Sequence, residues 1–143
     1  MTAPAVLVGQ NHSVSMWVNP NSTSQFNAYG QFAGGVSGRF FTNIINGYLS
    51  VGIDTSVEYY TTTNPLSLKQ WNHIVYIKDS TYGWYFYVNN VLAGQVAATN
   101  NIYTGANTTF GEFAGLDGSI DQIRIFNKVI SPSEVTTLYN EGI

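Results

Sequence analysis

The chain has no cysteine, few charges and no long apolar run, and each of these absences removes a class of function. Without cysteine among its 143 residues it has no disulfide, no thiolate nucleophile and no Cys-based zinc site. Its stability therefore has to come from packing and backbone hydrogen bonds. Only 9% of residues are charged, and the formal net charge is -3. The cations Arg39, Lys69, Lys78, Arg124 and Lys128 are scattered, so no basic stripe exists to neutralise a phosphate backbone. No nucleic-acid partner is expected. No segment is long and apolar enough for membrane insertion, and the opening Met-Thr-Ala-Pro-Ala-Val-Leu-Val-Gly carries no basic stretch or apolar core of a signal peptide.

Catalytic patterns are missing as well. A glycosidic bond is cleaved between two carboxyl groups about 5–5.5 Å or about 6.5–9.5 Å apart. The acids Asp54, Glu58, Asp79, Glu112, Asp117, Asp121, Glu134 and Glu141 form no same-face pair on one strand. Glu112, Asp117 and Asp121 are the nearest cluster, but a loop and a strand separate them. His12 has no acidic or nucleophilic companion nearby, and His73 shares an alternation face with Trp71, Val75 and Ile77, which suits an inward, hydrogen-bonded histidine. The chain reads as a non-enzyme.

What remains is aromatic and polar. Tyr, Phe and Trp make up 15% of the residues, and Asn, Thr, Ser and Gly fill most of the rest. Side-chain character alternates with a period of two along most of the chain, the mark of strands with distinct faces. Strands are predicted at Ser13–Asn19, Phe26–Phe32, Arg39–Ile45, Tyr48–Ile53, Ser56–Thr61, His73–Lys78, Trp84–Asn89, Val91–Ala97, Thr108–Phe113 and Ser119–Phe126. Their short length and close spacing mean a sandwich or barrel. Asn89-Asn90 between two of them predicts a two-residue hairpin, because Asn tolerates the positive φ of the primed turns. Only near the end does the period change. Ser131, Pro132 and Glu134 read as N-cap, N1 and N3 of a capping box, predicting a short helix over Pro132–Tyr139 that packs Val135, Leu138 and Tyr139 on the sandwich.

Three segments then resemble the laminin-G-like, concanavalin A-like lectin/glucanase family. They are Ser13–Pro20, Trp71–Tyr76 with Tyr85–Asn90, and Gly118–Asn127 with Ser131–Val135 and Leu138–Asn140. The resemblance implies an all-β jelly-roll sandwich of two antiparallel sheets with one short C-terminal helix, spanning 1–143 as a single domain. Family members usually carry a further strand before the Ser-x-Trp segment, here Ser15-Met16-Trp17, and the chain is expected to lack that N-terminal part. A partner, a second copy or a larger assembly would then cover the open edge. Relatives often hold one Ca²⁺ near a loop, so the resemblance implies Asp117 and Asp121 as calcium candidates. Asp121 alternates with Ile123 and Ile125, so it is expected on an apolar face, where it needs hydrogen-bond donors or a cation. No other cofactor is expected.

The expected function is a non-catalytic binding module for carbohydrate or adhesion on an extracellular or virion surface. A sugar's C–H face packs on an aromatic plane while amides and hydroxyls satisfy its oxygens, so few charges are required. Tyr59, Tyr60, Tyr82, Trp84 and Tyr103, in or beside predicted loops and strand ends, are the candidate ligand-binding residues. Trp17, Trp71, Phe86, Phe126 and Tyr139 are expected in the core. The competing reading is a structural decoration protein of a viral capsid or surface layer that contacts other proteins, as a homo-oligomer or in a larger virion assembly.

Overall fold

The structure, a computed structural model, describes residues 8–31, 37–53, 63–105, 108–111 and 115–143, and the backbone alone of 57–60. Its strands are β1 (His12–Pro20), β2 (Phe26–Gln31), β3 (Phe40–Ile45), β4 (Tyr48–Ile53), β5 (Val57–Tyr60), β6 (Asn72–Asp79), β7 (Gly83–Val88), β8 (Val91–Val96) and β9 (Gly118–Phe126). One helix follows, α1 (Pro132–Glu141). The strands form a five-stranded sheet ordered β8-β7-β6-β1-β9 and a four-stranded sheet ordered β2-β3-β4-β5, with every pairing antiparallel.

Alternation decides what fills the space between the sheets. Val14, Met16 and Val18 of β1, Ile74 and Tyr76 of β6 and Trp84, Phe86 and Val88 of β7 meet Phe26, Phe40, Ile44, Leu49, Val51 and Ile53 of the other sheet. The opposite face of the five-stranded sheet is covered too, because Val75, Ile77 and Tyr87 pack with Ile130, Val135 and Leu138 beneath α1. Trp17 stacks on Tyr139 there, with ring centroids 5.8 Å apart and planes 17° apart. The helix start follows the sequence: Ser131 accepts from the Glu134 amide, and the Glu134 side chain accepts from the Ser131 amide. The predicted hairpin also forms, with Asn89 at φ 49° and Asn90 at φ 65°, both in the left-handed region.

Four expectations need correction. Trp84 is fully buried rather than accessible, since it stands opposite Lys78 on the inward face and packs against His12 and Phe40. Trp71 is 37% exposed rather than core, because β6 begins one residue later, where the Asn72 side chain ties back to Ser67 and Gln70. Asp121 is exposed. The register between β1 and β9 slips between Ser15 and Trp17, and Gln122 takes a positive φ of 50°, so Asp121 falls opposite Trp17 on the helix side while Ile120, Ile123 and Ile125 pack on the core. Within the predicted strand Thr108–Phe113 the described residues show only an isolated bridge, Thr109 to Gly30, and 112–114 lie outside the described residues.

Candidate functional site

A groove of about 450 Å³ opens on the helix-covered side of the five-stranded sheet. Its wall is tyrosine: Tyr85 and Tyr87, two residues apart on β7 and therefore on one face, and Tyr82 from the preceding turn. Ile77, Val129 and Ile130 supply apolar floor, and Asp79, Ser131, Pro132 and Glu134 complete the lining.

Local chemistry places each group. The Asp79 carboxylate accepts the backbone N–H groups of Thr81 at 2.7 Å and Tyr82 at 3.2 Å, which closes the β6–β7 turn and holds Tyr82 at its tip. Gly83 follows at φ 101°, and a Cβ there would lie 2.1 Å from the Val96 carbonyl oxygen, so only glycine fits. Tyr82 is left 61% exposed. On the other wall the capping box fixes Glu134, which also pairs with Lys128.

None of the three phenol hydroxyls makes a hydrogen bond among the described residues. Burial, with Tyr85 alongside, pushes the Tyr87 hydroxyl above its ordinary pKa, so it remains a neutral donor and acceptor. The hydrogen bonds from Lys128 and from the Ser131 amide pull Glu134 below its ordinary value. That carboxylate stays ionised and acts as an acceptor. No basic residue lines the groove itself, although Lys128 stands behind Glu134, and Lys78 donates from the inner side to the Asp79 carbonyl at 3.3 Å.

The other predicted residues lie apart from this groove. Tyr103 is half-buried, its amide bonded to the Gly38 carbonyl. On β5, Tyr59 pairs opposite Val51 and Tyr60 opposite Ser50. Tyr60 thereby completes a register row with Asn43 and Asn27, whose side-chain amides hydrogen-bond to each other. Asp117 is exposed and accepts from Asn21 through both its carboxylate and its carbonyl. Among the described residues no three His, Cys, Asp or Glu side chains converge; Glu112 lies outside the described residues.

Both histidines are buried. His12 is fully buried: its Nδ1–H donates to the Gly9 carbonyl at 2.8 Å, and its Nε2 accepts from the Tyr29 hydroxyl at 2.9 Å. His73 bonds to the Ser15 hydroxyl at 2.8 Å and lies against Trp17 and Tyr139, on the face that the sequence assigns it. Burial drives both imidazoles down to a pKa of about 4. The sequence reading missed Tyr85 and Tyr87, although their period-two spacing beside Tyr82 carries the signal.

Two antiparallel sheets packed face to face, with one short terminal helix, define a concanavalin A-like β-sandwich. The chain belongs to the concanavalin A-like lectin/glucanases superfamily, whose laminin G-like profile matches residues 1–136. No curated protein sequence matches it significantly. Among solved structures it is similar to domain 4 of AbnA, an extracellular arabinanase of Geobacillus stearothermophilus, solved in complex with arabinotriose. That match has a TM-score of 0.75 and 23% identity, over 94% of this chain and 68% of that one. It is similar also to a heptameric pentraxin of Limulus polyphemus, with TM-score 0.71 and 16% identity over 93% and 71% of the two chains. A third similar structure is the ligand-binding domain of botulinum neurotoxin serotype D in complex with N-acetylneuraminic acid. Its TM-score is 0.67 and its identity 16%, and the match spans 98% of this chain but 38% of that one. At these identities the likeness establishes the fold.

Proposed function

We propose that the chain is a non-catalytic carbohydrate-binding module of extracellular setting, and that Tyr82, Tyr85 and Tyr87 hold the sugar. The observation that carries this reading is three tyrosines in one groove with unused hydroxyls, facing carboxylate acceptors. Phenol rings suit the C–H faces of a pyranose or furanose, and the hydroxyls and carboxylates suit its oxygens. Similar folds solved with arabinotriose and N-acetylneuraminic acid lend support. The groove's carboxylates are poorly suited to bond cleavage. A glycosidase needs one carboxyl held protonated, whereas Glu134 is held ionised by Lys128 and the cap, and Asp79 is engaged by two backbone amides.

Titration calorimetry of the protein against a broad panel of plant, bacterial and animal oligosaccharides tests the reading. At least one saccharide should bind, Tyr82→Ala should weaken it tenfold or more with an unchanged melting temperature, and no reducing sugar should be released. Silence across the panel, or a Tyr82→Ala protein that binds like the parent, overturns it. A structural surface protein is the second reading, and the exposure of Val91 at 50% and Leu92 at 48% on β8 favours it. Glycan silence together with large assemblies in light scattering would support that alternative.

A further inference from the structure

The tyrosine groove is not isolated. On the other side of the first turn of α1 lies a second depression, of about 190 Å³, lined by Phe126, Ile130, Glu134, Thr137 and Leu138. Ile130 and Glu134 line both. We infer that the two form one track crossing the N-terminal turn of α1, so that the site holds an internal stretch of a neutral polysaccharide chain rather than a single terminal sugar. This rests on the carbohydrate reading proposed above.

Three observations carry the inference. The second depression repeats the amphipathic design of the first: Phe126, Ile130 and Leu138 make an apolar floor, and Glu134 with Thr137 makes a polar rim. That pairing matches a second sugar ring, which offers an apolar face and a hydroxyl edge. Thr137 donates its hydroxyl hydrogen to the Ser133 carbonyl at 3.0 Å, so the oxygen remains an acceptor. Glu134 stands between the depressions, its geometry fixed by the cap and by Lys128, as an acceptor that successive sugars on either side can share. The preference for neutral sugars follows from charge. The linings contain Asp79 and Glu134 and no lysine or arginine, so a carboxylated sugar would meet carboxylates without a free cation to hold it.

The test is calorimetry with homologous neutral series, arabinan, xylan and β-glucan oligomers from monosaccharide to hexasaccharide, on the parent and on Thr137→Gln and Thr137→Val. For the series that binds, affinity should rise tenfold or more between monosaccharide and tetrasaccharide. Thr137→Gln, which adds bulk in the second depression without charge, should abolish most of that rise and leave monosaccharide affinity unchanged. Thr137→Val, which keeps the shape and loses the hydroxyl, should reduce the rise partially. Melting curves check that both variants fold. An affinity flat with length, or a length dependence untouched by Thr137→Gln, overturns the extended track while leaving the tyrosine site intact. Oligogalacturonides binding as tightly as the neutral chains overturn the charge assignment. Absence of binding at every length of these series, in a protein that binds some saccharide of the broader panel, overturns the neutral-chain track alone, and silence in both defeats the carbohydrate reading itself.

Discussion

Neighbouring aromatics at the start of β7 play opposite parts. Trp84 points between the sheets and is fully buried, while Tyr82 stands in solvent two residues earlier. Trp84→Ala should therefore cost about 3–5 kcal/mol by opening a cavity, read as a lowered urea midpoint. Trp84→Phe should cost far less, because the indole Nε1–H makes no hydrogen bond among the described residues and its loss strands no acceptor. The buried histidines make a further prediction. Both have folded-state pKa values near 4, against about 6.5 when unfolded. Between these values the unfolded chain binds more protons, so stability is complete above about pH 6.5 and falls as pH drops towards about 4, by up to about 1.4 kcal/mol per pH unit for each histidine. Urea midpoints across that window, compared with those of His73→Gln, should show a shallower slope in the variant.

Several elements rest on single residues whose backbone role is visible in the sequence. Ser131→Ala should cost about 1 kcal/mol by removing the N-cap, and it should also weaken saccharide binding, because the same residue holds Glu134 at the groove. Asn90→Gly keeps the turn at φ 65° but loses the hydrogen bond that the Asn90 side chain accepts from the Thr136 hydroxyl, so it should cost about 1 kcal/mol or less, whereas Asn90→Val should lower the melting temperature further. Gly83→Ala would push a methyl into the Val96 carbonyl at 2.1 Å and displace the turn that carries Tyr82. It should cost more than about 1 kcal/mol and impair binding together with stability. Elements were legible where local rules set them: Tyr48–Ile53 matches β4 end to end, and the capping box marks the first residue of α1. The β1–β9 slip was not legible. It arises from pairing between strands distant in the chain, and one extra residue there moves Asp121 from the inner face to the outer.

For the molecule as a whole, the sheet that carries the groove is covered on both sides, by the second sheet and by α1. That explains how far the sequence could be read. Alternation separates Trp84 and Phe86 from Tyr85 and Tyr87, but when both faces are apolar it does not say which one looks inward. A sandwich or barrel with a terminal helix was therefore predictable from the residues, and the two antiparallel sheets from the family resemblance, while the inward turn of Trp84 was not. Of the candidate ligand-binding residues whose side chains are described, Tyr82 alone lines the groove. The rest of the lining comes from β6, β7, the segment before α1 and the first turn of α1, which are brought together by folding.

Glu134 closes the helix start and also faces both depressions. Whatever settles against it shares a carboxylate with the Ser131 amide, so occupancy and fraying of that turn become linked quantities. Saturating saccharide should slow hydrogen–deuterium exchange at the amides of Ser131 and Glu134 and leave the hairpin between β7 and β8 unchanged, giving a local signature of occupancy without any displacement of the backbone.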